Sequence, residues 1–487
     1  DSATNHTIGN GGTPPTGGPP VLQGTAESVT VDVFNGTGTW MRTEGASGSW
    51  GAHENWFDGA VSAAPGTFAG FDDVDAATFD GTGTSATINL DGATGPSLQS
   101  ITFSGVTTSY VIAGPRTLTL KSSAPPATVL VYGSHAITAP VALSSDTEIF
   151  VAGSSDVLAV SGTITGYSNT LTKSGDGTLT TAAITAGTVN HNAGILNAAS
   201  VTAADFNVYS TAHVTGAVTL TGTATVGSGD EPAPATLTAS TLRANELIIN
   251  DKGFVQTAVN GTANEMVKIT KLTFAGTGDN PLGQWDVRMG KFIIEYDPET
   301  TLPGEAEDKI RKLVMSGAYG MGVEGTPYFG GLGIISSDAA TDPSEAPHTV
   351  AFIDNRYIDN SDPESPVEYQ LFPTWGGEDV SMTSILGMYT YYGDADMDGT
   401  VTGVDYSLID YGYAAHLTGW MNGDFDYDGA VTGVDYSLID YAYGVLNAGG
   451  PLGGIGSELS AVPEPATLSL LALGAAAMIT RRRRAGR

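Results

Sequence analysis

The chain contains no cysteine among its 487 residues. That absence excludes disulfide frameworks, thiolate zinc sites and cysteine nucleophiles. Positive charge is scarce as well: 19 Lys and Arg stand against 52 Asp and Glu, a formal net charge of −33. Such a chain repels phosphate overall, which argues against any nucleic-acid partner. Charged residues of both signs make up only 15% of the sequence, so it is not a polyelectrolyte tail, and 41% hydrophobic residues are enough for a core. At this length more than one domain is expected. Histidines are few and scattered (His6, His53, His135, His191, His213, His348, His416). No H-E-x-x-H, G-x-S-x-G, P-loop or Rossmann pattern occurs, so the motifs carry no sign of catalysis.

What is present changes along the chain. Residues 1–30 are rich in Gly, Pro, Thr and Ser and read as a flexible lead-in. Residues 31–265 are dominated by Gly, Thr, Ala, Ser and Val. Short alternating runs recur there: Ala86–Leu90, Ser100–Phe103, Tyr110–Ile112, Thr117–Leu120, Thr128–Val131 and Ala217–Leu220. Turn signals such as Asp91-Gly92, Asp176-Gly177 and Gly229-Asp230 separate them. Period-two alternation with β-branched residues predicts strands. Their small side chains, and a run too long for one set of sandwich strands, favour a stacked β-solenoid. Trp40, Trp50 and Trp56 cluster near its start, placed either to seal the first coil or to stack on sugar rings.

One segment, Leu171-Thr-Lys-Ser-Gly-Asp-Gly-Thr-Leu179, resembles the L-x-K-x-G-x-G-x-L signature of autotransporter-associated β-strand repeats. Upstream, Thr39-Trp40, Ser49-Trp50, Glu54-Asn55-Trp56 and Ala77-Thr-Phe79 resemble the opening of such passenger-like regions. The resemblance implies a right-handed β-helix.

Residues 266–390 differ in composition. Lys291–Tyr296 reads as a strand, and Glu305–Ser316 as a helix whose first turn is acidic and whose later turns carry Lys309, Arg311 and Lys312. Ile310, Leu313 and Val314 give it an inner face, and Gly317 is expected to end it. The segment reads as a β-rich or small α+β cap, because an uncapped solenoid exposes strand edges.

The strongest pattern follows. Residues 391–450 hold ten aspartates and no Lys or Arg. Gly393–Tyr413 recurs thirty residues later from Gly423, with 17 of 21 positions identical. Each copy opens with a D-x-D-x-D-G-x₅-D loop of EF-hand type, which supplies oxygens to a hard cation. The first loop offers Asp394, Asp396, Asp398, the Thr400 carbonyl, Thr402 and Asp405. The second offers Asp424, Asp426, Asp428, the Ala430 carbonyl, Thr432 and Asp435. Four carboxylates per loop suit Ca²⁺ better than Mg²⁺, which keeps more of its water. Val404, Leu408 and Tyr411 fall on one helical face, which the second copy could share.

Aspartate at position 12, and the lack of a helix before either loop, make the pair 393–443 resemble a type I dockerin. In that family loop positions 10 and 11 help contact a cohesin partner. Here they are Gly403-Val404 and Gly433-Val434 in place of the common Ser/Thr pair, so an intrachain role stands beside docking. Trp420, between the copies, is expected to plug a core.

After a linker at 449–460, residues 461–487 close the chain. Val462-Pro463-Glu464-Pro465 precedes a fifteen-residue apolar run, and then Arg481, Arg482, Arg483 and Arg484. The run is shorter than the roughly 20 residues that cross a bilayer comfortably, though flanking arginines can snorkel and mark the cytoplasmic side. This order resembles a PEP-CTERM sorting signal of Gram-negative bacteria. It implies export, transient anchoring in the inner membrane by a C-terminal apolar helix, and processing by an exosortase-type enzyme. It also leads us to expect that an export signal preceded Asp1.

The expected protein is mainly β: a right-handed β-solenoid (31–265), a small cap (266–390), an α-type dockerin-like calcium module (391–448) and the sorting tail. Its expected work is non-catalytic, structural or adhesive, at the cell surface or in the extracellular matrix, with two Ca²⁺ sites and an exopolysaccharide as a candidate partner. A dockerin-type module docking a cohesin-like protein is the alternative. A polysaccharide-active β-helix enzyme is the second alternative.

Overall fold

A computed structural model describes residues 36–447 apart from 42–46, 68–72, 82–85, 230–232, 258–264, 303, 320–327, 343–346 and 360–366. The lead-in 1–30, the linker 449–460 and the tail 461–487 lie outside the described residues.

All six runs read as strands from their alternation are strands, at Ala86–Asn89, Ser100–Phe103, Tyr110–Ala113, Leu118–Leu120, Ala127–Val131 and within Thr211–Leu220. They join a 30-stranded sheet that is parallel over most of its length. The protein is mainly β, and its pairing has the form of a solenoid. Strands three places apart in sequence pair with one another: Ser100–Phe103 with Ala127–Val131, Tyr110–Ala113 with Ser134–Ile137, Leu118–Leu120 with Val141–Leu143. Three parallel ladders therefore run side by side.

Each ladder keeps its register by stacking like on like. In one, Leu118, Val141, Ile164, Ile184, Val201, Val218, Leu242, Val267 and Phe292 stand over one another. In another, Leu158, Leu179, Leu196, Ala212, Leu237, Val255, Trp285 and Ile334 do the same. All of these side chains are buried. A slip of one residue would turn a whole strand inside out, so the alternation fixes the register. Each aliphatic side chain buried in this way contributes about 1.5–3 kcal/mol relative to exposure.

The N-terminal end is closed by aromatic rings. Trp40 pairs with Trp56 between two antiparallel strands, and their ring centroids lie 5.0 Å apart. The Trp50 ring lies 4.7 Å from Trp56, and Phe79 stacks on Phe103 of the next coil at 5.0 Å. The indole nitrogens of Trp50 and Trp56 donate to the carbonyls of Pro65 and Trp50. All three tryptophans are buried, so they seal the coil and present no ring to a sugar.

Parallel pairing carries on through Met266–Phe274, Gln284–Asp286, Lys291–Glu295 and Gly333–Ile335. There the direction changes. Ser384–Tyr391 pairs antiparallel with Lys291–Glu295 on one side and His348–Asp354 on the other. Gly387 permits the change, because a Cβ there would occupy the Phe292 ring.

The cap helix runs Glu305–Tyr319, one turn longer than the acidic-to-basic pattern indicated. Ile310, Leu313 and Val314 are its buried face, as the spacing indicated. Gly317 does not end it. That residue lies inside the helix, where a Cβ would overlap the Ile334 carbonyl oxygen. The glycine is there for close approach of helix to strand, a tertiary reason that a local stop signal mimics.

Candidate metal centre

The two acidic loops follow the antiparallel strand Ser384–Tyr391, and each leads into a helix, Gly403–Ala415 or Gly433–Asn447. Gly399 and Gly429, at loop position 6, have φ of +91° and +89°, the sharp turn expected of glycine there. Each loop also packs on the other copy's helix. A Cβ on Gly393 would lie 2.7 Å from Ile439 Cγ1, and one on Gly423 would lie 2.5 Å from Ile409 Cγ1.

The buried face of the helices differs from the one the spacing indicated. Asp405, Ile409 and Gly412 are buried in the first, with Asp435, Ile439 and Ala442 in the second. Val404 and Tyr411 are 48% and 52% exposed, and Val434 and Tyr441 are 55% and 54% exposed. Both triplets share the i, i+4, i+7 spacing, and what decides between them is the loop's need to bury its twelfth residue. Tyr411 and Tyr441 stay outside, and the half-buried Tyr406 and Tyr436 donate across the pair to Asp440 and Asp410 at 2.6 Å.

Carboxylate oxygens of Asp394, Asp396 and Asp398 lie within 4.8 Å of one another, and those of Asp424, Asp426 and Asp428 do likewise. Asp405 and Asp435 act from position 12. Asp405 Oδ1 accepts from the Ala395 and Asp396 amides at 2.8 and 3.2 Å, and Oδ2 accepts from the Thr402 amide at 2.7 Å. Asp435 repeats the pattern with Phe425, Asp426 and Thr432. Thr402 and Thr432 also serve the helix starts, each hydroxyl accepting from the Val404 or Val434 amide at 3.1 Å and keeping a second lone pair. Thr402 and Asp405 form a capping box. The Thr-x-x-Asp spacing is visible in both copies and would have revealed that role. Thr400 bonds Asp398 through its amide and hydroxyl, and the Ala430 amide bonds Asp428.

Crowding these acids away from water disfavours their charge. Burial, with neighbouring aspartates adding, pushes Asp396 up to about 7 and Asp424 up to about 6. The Asp394 carboxyl is raised well above the usual range, also chiefly by burial. A divalent cation would reverse this balance by attracting several carboxylates at once. The donor set is all oxygen and mostly anionic, which fits a hard metal cation.

Further residues complete the surroundings of the loops, and of these only Trp420 was marked by the sequence. Thr390 donates its hydroxyl to Asp394 Oδ2. Trp420 is buried, as expected of a plug, and its indole also donates to the Asp394 carbonyl at 2.6 Å. The Tyr427 ring stacks on Phe352 of the antiparallel sheet at 4.9 Å, and its hydroxyl donates to the Val350 carbonyl. Glu307, on the cap helix, is pushed up to about 7 by burial, with Asp354 and Asp424 adding.

Residues 461–484 match the PEP-CTERM protein-sorting motif. The match covers the Pro-Glu-Pro, apolar and arginine segments and marks an exported surface protein that is processed by an exosortase and transiently anchored in the membrane. No helix among the described residues is long and apolar enough to cross a membrane, and the matched segment lies outside them. No curated protein and no solved structure matches the chain.

Proposed function

We propose that this chain is a non-catalytic structural or adhesive protein of the Gram-negative cell surface or extracellular matrix. In this reading a right-handed β-solenoid, akin to autotransporter-associated repeats, is the stalk. A dockerin-like pair of Ca²⁺ loops stabilises its C-terminal end. The observation that carries the reading is the convergence of three carboxylates in each of two repeated loops, on a chain that ends in a sorting motif. The ligands of the first site are Asp394, Asp396, Asp398, Thr400, Thr402 and Asp405. Those of the second are Asp424, Asp426, Asp428, Ala430, Thr432 and Asp435. The non-catalytic assignment is supported by the way solenoid carboxylates are used. Glu148 bonds Ser174, Asp205 bonds the Thr223 amide, and Asp286 bonds Gln256 and Ser337.

Calorimetry with CaCl₂ tests this reading: two ions should bind, and Asp398→Ala with Asp428→Ala should abolish binding. Unchanged binding would remove the metal assignment. Release of reducing or unsaturated sugars from acidic glycans would overturn the non-catalytic part.

A second reading is favoured by the exposed helical face of Val404, Tyr411, Val434 and Tyr441. It includes position 11 of both loops, so the pair could dock a cohesin-like protein. Chelator-sensitive capture of one defined partner, lost on Val404→Lys with Val434→Lys, would establish it.

A further inference from the structure

We propose that a divalent cation in the second loop is the staple that holds the acidic module on the solenoid cap, with Glu307 of the cap helix as the cap's share of the attraction. The proposal rests on the reading that the loops bind Ca²⁺, and it assigns them unequal work.

The two copies differ at four positions. One of these is where the second loop enters the cap, Tyr427 in place of Met397, and another, Phe425 in place of Ala395, packs on Trp420 at 5.0 Å. Tyr427 stacks on Phe352, bonds the Val350 carbonyl, and through its own carbonyl accepts from Arg311 of the cap helix at 3.1 Å. A third difference, Gly412 against Ala442, has a packing cause, because a Cβ on Gly412 would overlap the Asn422 carbonyl. The repeat is thus broken where the module meets its own chain.

The first aspartate of each loop is treated differently as well. Asp394 is saturated: Oδ1 accepts from the Asp398 amide at 3.0 Å, and Oδ2 accepts from the Gly399 amide at 2.9 Å and from Thr390. The residue thirty places after Thr390 is Trp420, which has no hydroxyl. Asp424 is 1% exposed, and its Oδ1 has no hydrogen-bond partner, although it belongs to the second triad. A buried carboxylate oxygen without a donor is costly, and a cation among the triad would satisfy it.

Glu307 connects this loop to the cap. The Gly419 amide donates to Asp424 Oδ2 at 3.3 Å, and a Cβ on Gly419 would lie 2.9 Å from Glu307 Oε1. Glu307 and Asp424 therefore flank one glycine from opposite elements. Without a cation the two acids repel, which loosens the contact. With one, both are drawn to the same charge, and the ion acts on cap and module together.

The test uses the full chain and CaCl₂ alone, with calorimetry and thermal unfolding measured on the same samples. Glu307→Gln should raise the ion-free midpoint, weaken one of the two sites roughly fivefold to tenfold, as for loss of one neighbouring charge, and shrink the rise that Ca²⁺ produces. Tyr427→Ala should keep both ions but lose most of that rise. Asp394→Asn should retain more of the rise than Asp424→Asn. Two ions bound by wild type, with an undiminished rise in both Glu307→Gln and Tyr427→Ala, would overturn the staple and leave the calcium reading standing. Absence of calcium binding by wild type would overturn both.

Discussion

Lys173 pairs in register with His191 on the next coil, and both side chains are buried in a column that is otherwise largely aliphatic. The column runs from Ile101 through Val129 and Ile149 to this pair, and on to Val208, Val226 and Ile249. The Lys173 ammonium donates to the carbonyls of Ser174, Gly175 and Ala193 at 2.9, 2.8 and 2.9 Å. Burial lowers it to about 8. The lysine of the L-x-K-x-G-x-G-x-L segment thus pins two successive turns from the inside. Replacing it with Met keeps the volume but strands three partly buried carbonyls. Lys173→Met should cost about 2–4 kcal/mol in urea unfolding. A change within about 0.5 kcal/mol would show that the pin is dispensable.

His191 makes the same region sensitive to acid. Its Nε2 bonds the Thr211 carbonyl, and burial, with the Lys173 charge adding, lowers it to about 4. The unfolded chain, with His near 6.5, binds a proton that the folded chain refuses. Stability from this group is therefore full above about pH 6.5 and falls as pH drops through about 4, by up to roughly 3 kcal/mol. The buried acids of the two loops titrate in the same window with the opposite sign, and equally in both proteins, so between pH 7 and 4 the thermal midpoint of His191→Gln should fall less, or rise more, than that of wild type. Equal slopes would remove His191 as the cause.

The strands were legible because period-two alternation is a local signal, and all six runs read from it are strands. The register was not, because the coils differ in length: the chain needs 24 residues from Ile149 to Lys173 and only 18 from Lys173 to His191. The carbonyls that hold Lys173 belong to turns of two coils, and no sequence window contains both. The acidic loops stood out because the same spacing occurs twice. Their docking was hidden in a residue that differs, Met397 against Tyr427, whose meaning depends on Phe352 and Val350 in another element.

The two helical glycines most open to test should respond with opposite signs. Gly317→Ala brings a Cβ into the Ile334 carbonyl and so should destabilise the cap, although Ala is the better helix former. A Cβ on Gly444, in the second module helix, would meet nothing within 4 Å. Gly444→Ala should stabilise by about 0.5–1 kcal/mol, through helix propensity and a less flexible unfolded chain. Denaturant midpoints of the two variants should bracket the wild type, and a gain from Gly317→Ala would refute the close approach.

The exposed and buried faces of the acidic module separate in the same way. Ile409 and Ile439 are fully buried and each packs on the glycine that opens the other copy's loop. Truncating either to Ala removes buried methylenes and leaves a cavity, at a cost of about 2–5 kcal/mol. It should also weaken metal binding by the opposite loop, since the glycine before Asp394 or Asp424 loses its support. Tyr411→Ser and Tyr441→Ser change side chains that face solvent and should stay within about 0.5 kcal/mol of wild type. Unfolding and calcium titration of the four variants, each made singly, check both statements. A large loss from the tyrosine variants, with none from the isoleucines, would mean that the helices pack through Val404, Leu408 and Tyr411 after all.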